Sequence, residues 1–495
     1  MTQTAFVPPK DVASADPRRW IAMAVLLLAS FMNLIDVTIV NVALPSLETN
    51  LGADASQIEW VIAAYVLAFA LGLLPFGRLG DIVGRTRMFL FGVTAFTIAS
   101  ALCGFAPSIE TLIGARVLQG LGGAMMTPQV LAIAQVTFPP EERGQAFSLF
   151  GLSAGLASVA GPIVGGFLIS ADLFGLDWRP IFLVNVPVGI FAVIMGLLLI
   201  PRMPGHKGLR NDYFGIVLFG ISIVLLVYPL IEGRAYGWPA WTFAMMLAAV
   251  AGLALFYYWE RDRAKRGHAQ LLNFGLLSNG NFMFGAVILT VFSSGIPGFF
   301  MVLSLLLQSG FDFTPLHSGL TNTPFSVGVL LVSFISGWLG SNFLRRRLAT
   351  SAGLLLIGIG SLHFIIGGVG DTINSFWLTV PLFIAGIGLG LGFSALFQIV
   401  LSGVPHRDAG AASGALQAFQ QVGGALGVAL MGEMFFSRLS GNLASGTAPH
   451  QAFANAASEA MFYQIAAFGF VLVCVGFLRV MRHEGQAAAP APVEA

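Results

Sequence analysis

In the stretch LIDVTIVNVALP, residues 34–45, one carboxylate, Asp36, stands in an otherwise uncharged apolar run. An acid in that setting can take up and release a proton, with burial opposing its charge and a nearby cation favouring it. A cation is available in another apolar run, where Arg116 opens RVLQGLGGA, residues 116–124. Asn33 lies three residues before Asp36 and Gln119 three after Arg116, each on the same helical face as its charged neighbour. A third ionisable residue, Glu433, sits in an apolar run toward the C-terminal end. Other reactive constellations do not appear in the sequence. No His, Cys and carboxylate cluster has the spacing of a metal site, and there is no Gly-Lys-Ser phosphate loop, so no cofactor is expected and direct ATP hydrolysis is not. Cys103 and Cys474 lie in apolar runs and read as small buried hydrophobes without a disulfide. The lone His363 reads as a hydrogen-bonded structural residue.

The chain that must position these groups has 495 residues, 56% hydrophobic and 9% charged, with a mean hydropathy of +0.84. Soluble domains carry about 25% charged residues, so an all-α integral membrane protein is expected. A formal net charge of +1 gives no reason to expect a nucleic-acid partner. Residues 1–19 are polar, and the apolar run after them is too long for a signal-peptide core. It reads as a first span, with Asp16 and Pro17 suited to the helix start. Charges inside a membrane cost at least about 2.5 to 3.5 kcal/mol each at mid-span, which makes Asp36, Arg116 and Glu433 functional candidates by default.

Hydropathy and helix breakers together predict fourteen spans, over 20–44, 57–79, 87–106, 109–137, 143–170, 180–200, 212–231, 240–259, 279–307, 315–341, 347–369, 375–402, 408–437 and 459–481. With both termini cytoplasmic, the inner segments hold 20 of the 24 Lys and Arg; Arg179, Arg234 and Arg438 fall outside, and Arg116 lies within a span. That asymmetry is the one cytoplasmic loops display. Asp36 and Arg116 then lie at matching depth, roughly 10 to 13 Å below the outer surface at 1.5 Å per residue, so the two can meet. Glu433 lies only roughly 6 Å from the outer end of its span, with Arg438 just beyond it. It reads equally as an interfacial or a coupling carboxylate.

The chain repeats itself. GRLGDIVGRTR at 77–87 recurs as GWLGSNFLRRR at 337–347, an offset of 260, and QGLGG at 119–123 is echoed by AGIGL at 385–389. Two six-span halves are implied, 20–201 and 279–482, separated by a segment at 202–278 that carries two extra spans, with residues 1–19 and 483–495 as cytoplasmic ends. Parallel repeats of this kind build transporters with a site at the repeat interface. The run ASVAGPIVGG, residues 157–166, concentrates Gly161, Pro162, Gly165 and Gly166 in the fifth span. Such a run would weaken a helix in water. In lipid, small residues allow close helix approach, and Gly151, Gly155, Gly161 and Gly165 make a smooth stripe.

Taken in order, LIDVTIVNVALP, GRLGDIVGRTR, RVLQGLGGA, ASVAGPIVGG and WRPIFLVNVPVG resemble the signatures of the major facilitator superfamily, and more narrowly its fourteen-span drug:proton antiporters of the EmrB/QacA type. LLLQSGFDFTPLHSGL, residues 305–320, is similar to that branch's loop between spans 9 and 10. The resemblance covers nearly the whole chain. It implies the major facilitator fold, with two six-helix bundles plus two inserted helices. It also implies that Gly77, Asp81, Gly84, Arg85 and Arg87 form a cytoplasmic latch, and that Gly161, Pro162, Gly165 and Gly166 form the tight contact on which the halves of an exporter rock. In the second copy of the loop motif Asp81 is replaced by Ser341 and Gly84 by Leu344, so the same latch is not expected there.

The resulting expectation is a multi-pass antiporter of the bacterial inner membrane. It would export small amphipathic or hydrophobic drug-like compounds in exchange for protons carried by Asp36, with Arg116, Asn33, Gln119 and Glu433 as further candidates. The proton gradient is the expected driving force, and a periplasmic adaptor and outer-membrane channel are admissible partners. A dedicated exporter of one metabolite and a proton-coupled uptake carrier are the alternatives. An enzyme would need a catalytic constellation that the sequence does not display.

Overall fold

A computed structural model describes residues 18–138, 140–205, 211–272, 274–339, 343–402, 404 and 409–478. The terminal segments, the loop basics Lys207, Arg210 and Arg407, and Ser341 of the second loop motif lie outside the described residues. Among the described residues the fold is all-helical, without strands. The helices, in chain order, are α1 Arg19–Leu51, α2 Ala55–Val83, α3 Arg85–Gly104, α4 Ile109–Thr137 and α5 Pro140–Ser170. They continue with α6 Pro180–Leu199, α7 Tyr213–Glu232, α8 Ala240–Lys265 and α9 Gly280–Gly310. The last five are α10 Pro315–Leu339, α11 Leu344–Gly367, α12 Ser375–Leu401, α13 Ala409–Ala444 and α14 Pro449–Cys474. Twelve of these, all but α5 and α10, contain a described stretch long and apolar enough to cross a membrane.

The helix ends follow local chemistry. Asp54 caps α2, accepting from the Gln57 amide at 2.8 Å while the Gln57 side chain accepts from the Asp54 amide at 3.0 Å. Ser108 and Thr111 close a similar box at the start of α4, each box satisfying amides that a helix start leaves free. Gly52, at φ +62°, ends α1 in the left-handed conformation that glycine adopts without strain. The expected span 109–137 coincides with α4, whereas α14 begins at Pro449, ten residues before the expected 459. Hydropathy locates an apolar stretch, and the helix continues past it until a breaker stops it.

Packing repeats along with sequence. α4 lies against α2 and α3, as α12 lies against α10 and α11; α1 packs on α5 and α6, as α9 packs on α13 and α14. The echo between QGLGG and AGIGL has a physical basis in these pairs. A Cβ added to Gly120 would run into the Tyr65 carbonyl of α2, and one added to Gly386 into the Phe325 carbonyl of α10. Likewise a Cβ added to Gly122 would come within 2.8 Å of Phe96 Cα of α3, and one added to Gly388 within 3.0 Å of the Leu355 amide nitrogen of α11. Two seams join the first six helices to the last six, α2 with α13 and α5 with α10. The extra hairpin, α7 and α8, contacts α2 and α13 through α7, and α8 shows large apolar side chains such as Leu247 and Tyr258 to the exterior.

Candidate functional site

The glycines of α4 decide where Arg116 and Gln119 can reach. Because Gly120, Gly122 and Gly123 let α4 approach α2, α3 and Asn33 of α1 so closely, the side chains one turn earlier enter the middle of the first six helices. There Arg116 donates from Nη1 to Asp36 Oδ2 at 2.5 Å and to Gln119 Oε1 at 2.7 Å. Its Nε donates to the Val61 carbonyl at 3.1 Å, and its guanidinium lies 4.2 Å above the Tyr65 ring. Asp36 Oδ1 accepts from Gln119 Nε2 at 2.7 Å and from Asn185 Nδ2 at 3.1 Å. Asn185 also donates to Ser100 at 3.0 Å. Asp36 is 0% exposed and Arg116 1%.

Removing two charges from water is costly, and a buried pair holds only when geometry and extra hydrogen bonds compensate. Both conditions are met. Each Asp36 oxygen is engaged, and the guanidinium has two oxygen partners besides the acid and an aromatic face beneath it. Displacing one partner, by a proton on Asp36 or by a rearrangement of α4 against α1, leaves the remainder under-satisfied. Such an arrangement can register the charge of one carboxylate and pass it to five helices.

Sequence spacing placed Asn33 in the same cluster. The structure puts it nearby, but its hydrogen bond goes to Tyr65, whose hydroxyl donates to Asn33 Oδ1 at 2.6 Å. Tyr65, Ser100 and Asn185 were not among the sequence candidates. Asn185 lies inside the quoted WRPIFLVNVPVG, where a lone amide in an apolar run was an available signal; Tyr65 and Ser100 offered none. Cys103 donates to Gln119 Oε1 at 3.5 Å, so it borders the network.

Glu433 is elsewhere, at the α2–α13 seam. Its Oε2 lies 3.7 Å from Arg234 Nη1 and its Oε1 accepts from Trp238 Nε1 at 3.4 Å. Arg234 also binds a carboxylate that is not a candidate from sequence, donating to Glu59 Oε1 at 3.2 Å. Arg438 pairs instead with Glu459, at 2.7 Å.

The loop motif closes on itself. Arg85 pairs with Asp81 at 2.9 Å, one helical turn away, and Gly84, at φ +111°, seats the turn 2.5 Å, by its virtual Cβ, from the Met203 carbonyl. Arg87 is exposed and lines a cavity of about 640 Å³ with Arg202 and Leu90, apart from the Asp81 pair. Gly77 faces Pro128, with ordinary room for a Cβ at 3.6 Å.

The glycine run of α5 is wedged between the two halves. A Cβ on Gly161 would fall on the Thr38 hydroxyl, and one on Gly165 would come within 2.6 Å of Ile39 Cγ1, both on α1. Gly166 faces α10, with the Pro315 carbonyl 2.6 Å from its virtual Cβ, and the Pro162 carbonyl abuts Gly319 of α10. The side-chain surroundings of Gly151 lie outside the described residues.

An all-helical membrane fold whose packing repeats between its first and last six helices, with a buried ion pair in the first, defines a transporter class. The family model of the Major Facilitator Superfamily matches residues 26–212 and 207–428. The chain belongs to that superfamily. It is 41% identical over 437 residues, 87% of this chain and 76% of the relative, to a probable actinorhodin transporter of Streptomyces coelicolor. It is 33% identical over 463 residues, 90% of this chain and 88% of the relative, to a puromycin resistance protein of Streptomyces alboniger. Its fold is shared with a bacterial homologue of the lysosomal transporter Spinster in an inward-facing, occupied conformation, at a TM-score of 0.66, 17% identity and coverage of 94% of this chain and 97% of that one.

Proposed function

We propose that this chain is a proton-coupled efflux antiporter that exports small hydrophobic or amphipathic compounds across a bacterial cytoplasmic membrane. The observation that carries the reading is the sealed Asp36–Arg116 pair, an ionisable acid with its cation inside an apolar fold. In this reading α5 and α10 complete fourteen spans, both termini are cytoplasmic, and residues 20–201 and 279–482 are the two moving bundles, with 202–278 as the inserted segment. Asp36 takes a proton from outside and gives it up inside. Protonation weakens its hold on Arg116, and α1 and α4 re-pack, with the glycine wedge of α5 as the surface on which the bundles rock. Drug-like substrates are supported by relatives named for antibiotic transport and resistance.

The 41% identity to a probable actinorhodin transporter favours a second reading, a dedicated exporter of one antibiotic-like product. A susceptibility and efflux panel in a pump-deficient bacterium, with and without a protonophore, separates the two. Several unrelated compounds exported in a protonophore-sensitive way support the first reading, one compound supports the second, and export that ignores the protonophore refutes proton coupling. Repeating the panel with and without a host adaptor and outer-membrane channel tests whether such partners are used.

A further inference from the structure

The extra hairpin carries a cationic side chain to the α2–α13 seam. Arg234, just beyond α7, donates to Glu59 of α2 at 3.2 Å and to the Gly432 carbonyl of α13 at 3.2 Å. It lies 3.7 Å from Glu433 of α13 and stacks 4.9 Å from the Phe436 ring. The two helices touch at this point, since a Cβ on Gly432 would collide with the Glu59 carboxyl group. The loop has further ties. Trp60 of α2 donates to Glu232 at 2.8 Å and Ser56 of α2 to the Ile231 carbonyl at 3.4 Å, whereas Trp238 reaches Glu433 at 3.4 Å.

We propose that the end of this hairpin is an outer strap: Arg234 holds α2 to α13 while the outer face is closed and must let go of one of them for it to open. This rests on the transport reading and on the orientation that places this end of α2 outside. Separating the seam by even a few ångströms takes the guanidinium out of hydrogen-bond range of one side, since such bonds weaken beyond about 3.2 Å. The ties decide which side is released. The strap is bound to α2 by the shorter ion pair to Glu59 and by Trp60 and Ser56, and to α13 by a carbonyl, a longer ion pair, one indole contact and the face of Phe436. The shorter ion pair and the 2.8 Å Trp60 bond keep it with α2, and it releases Gly432, Glu433 and Phe436. In this scheme Glu433 is a strap anchor, and the inserted hairpin, attached by α7 to both helices of the seam, is a regulator of opening.

The test is the rate at which a membrane-impermeant maleimide labels Ala63→Cys, one turn inside Glu59, in intact cells; the native cysteines are buried. Arg234→Gln and Glu433→Gln should each speed labelling about fivefold, as expected for losing a modest ion pair. Arg234→Lys should give a smaller change, and Arg438→Gln, which breaks only the neighbouring Glu459 pair, should give none. Equal labelling in Arg234→Gln and wild type overturns the strap. Joining Trp238→Cys to Glu433→Cys with a short bismaleimide should stop efflux relative to the same variant left unlinked, and pumping at the unlinked rate would also overturn it. Labelling reports the strap even in a variant that exports no drug, so its failure is distinct from failure of the transport reading.

Discussion

Arg116 and Asp36 approach to 2.5 Å with neither side chain open to solvent. The residues are 80 positions apart in the chain, and the contact exists because the glycines after Arg116 let α4 sit against α1, α2 and α3. In the proposed cycle proton chemistry and helix packing are coupled here, because a change of charge on Asp36 would alter what holds α4 to α1.

Asp36→Asn should abolish proton-driven efflux, by about 100-fold or more, the range seen when a proton-transfer group is removed. The amide preserves shape and can still accept from Gln119, so insertion and expression should persist. The measurement is substrate-induced proton release from everted vesicles; release at the wild-type rate would remove Asp36 from the mechanism.

Tyr65 supports the pair in two ways, as a ring under the guanidinium and as a hydroxyl to Asn33. Tyr65→Phe keeps the ring and loses one hydrogen bond, a loss of about 0.5 to 1.5 kcal/mol, and efflux should fall only a few-fold. Tyr65→Leu also loses the cation–π contact, worth about 2 kcal/mol or more when desolvated, and should be clearly worse. Efflux rates and thermal stabilities of the two purified variants, compared side by side, check the order.

Gly161→Val and Gly165→Val should cost transport more than expression, because a branched side chain would strike Thr38 and Ile39 and hold α5 off α1. The overlap is too large for rotamer changes alone to absorb, and overpacking costs typically about 1 to 3 kcal/mol. Efflux normalised to membrane protein is the readout; two variants pumping at the wild-type rate would mean that this contact does not move in the cycle.

The sequence made the membrane class, the helix order and the central pair legible for a simple reason. Intramembrane charges are rare, and two at matching depth have few partners but each other. The repeat was legible too, and its meaning is now specific. In the register that aligns QGLGG with AGIGL, Arg116 corresponds to Leu382 and Gln119 to Ala385, both fully buried. The second half therefore keeps the glycine packing of the first and has apolar residues in place of Arg116 and Gln119. What spacing could not convey was contact between distant elements. Nothing in the local pattern around Glu59 or Arg234 says that a hairpin more than 170 positions downstream folds back on the start of α2. Asn33 illustrates the same limit, since it lies on the helical face of Asp36 yet bonds to a tyrosine from the next helix.

Asp36 and Arg116 should act as one unit. Arg116→Ala leaves a buried carboxylate without its cation, and breaking a buried pair from one side typically costs about 3 to 5 kcal/mol. The acid can relieve that cost by holding its proton, since losing the opposite charge disfavours the ionised form. Release on the inner side then requires a higher pH than in the wild type, so the pH optimum of any residual efflux should move upward. With Asp36→Asn the titrating group itself is gone, and residual efflux should lose its pH dependence. In the double variant no buried charge is left unpaired, so the combined loss should be little worse than that of Asp36→Asn alone, as expected for residues in direct contact. pH profiles of efflux for the two single variants and the double decide the matter. A profile for Arg116→Ala with the wild-type shape, together with strictly additive losses in the double, would show that the guanidinium serves packing or substrate contact, and that the proton on Asp36 is indifferent to it.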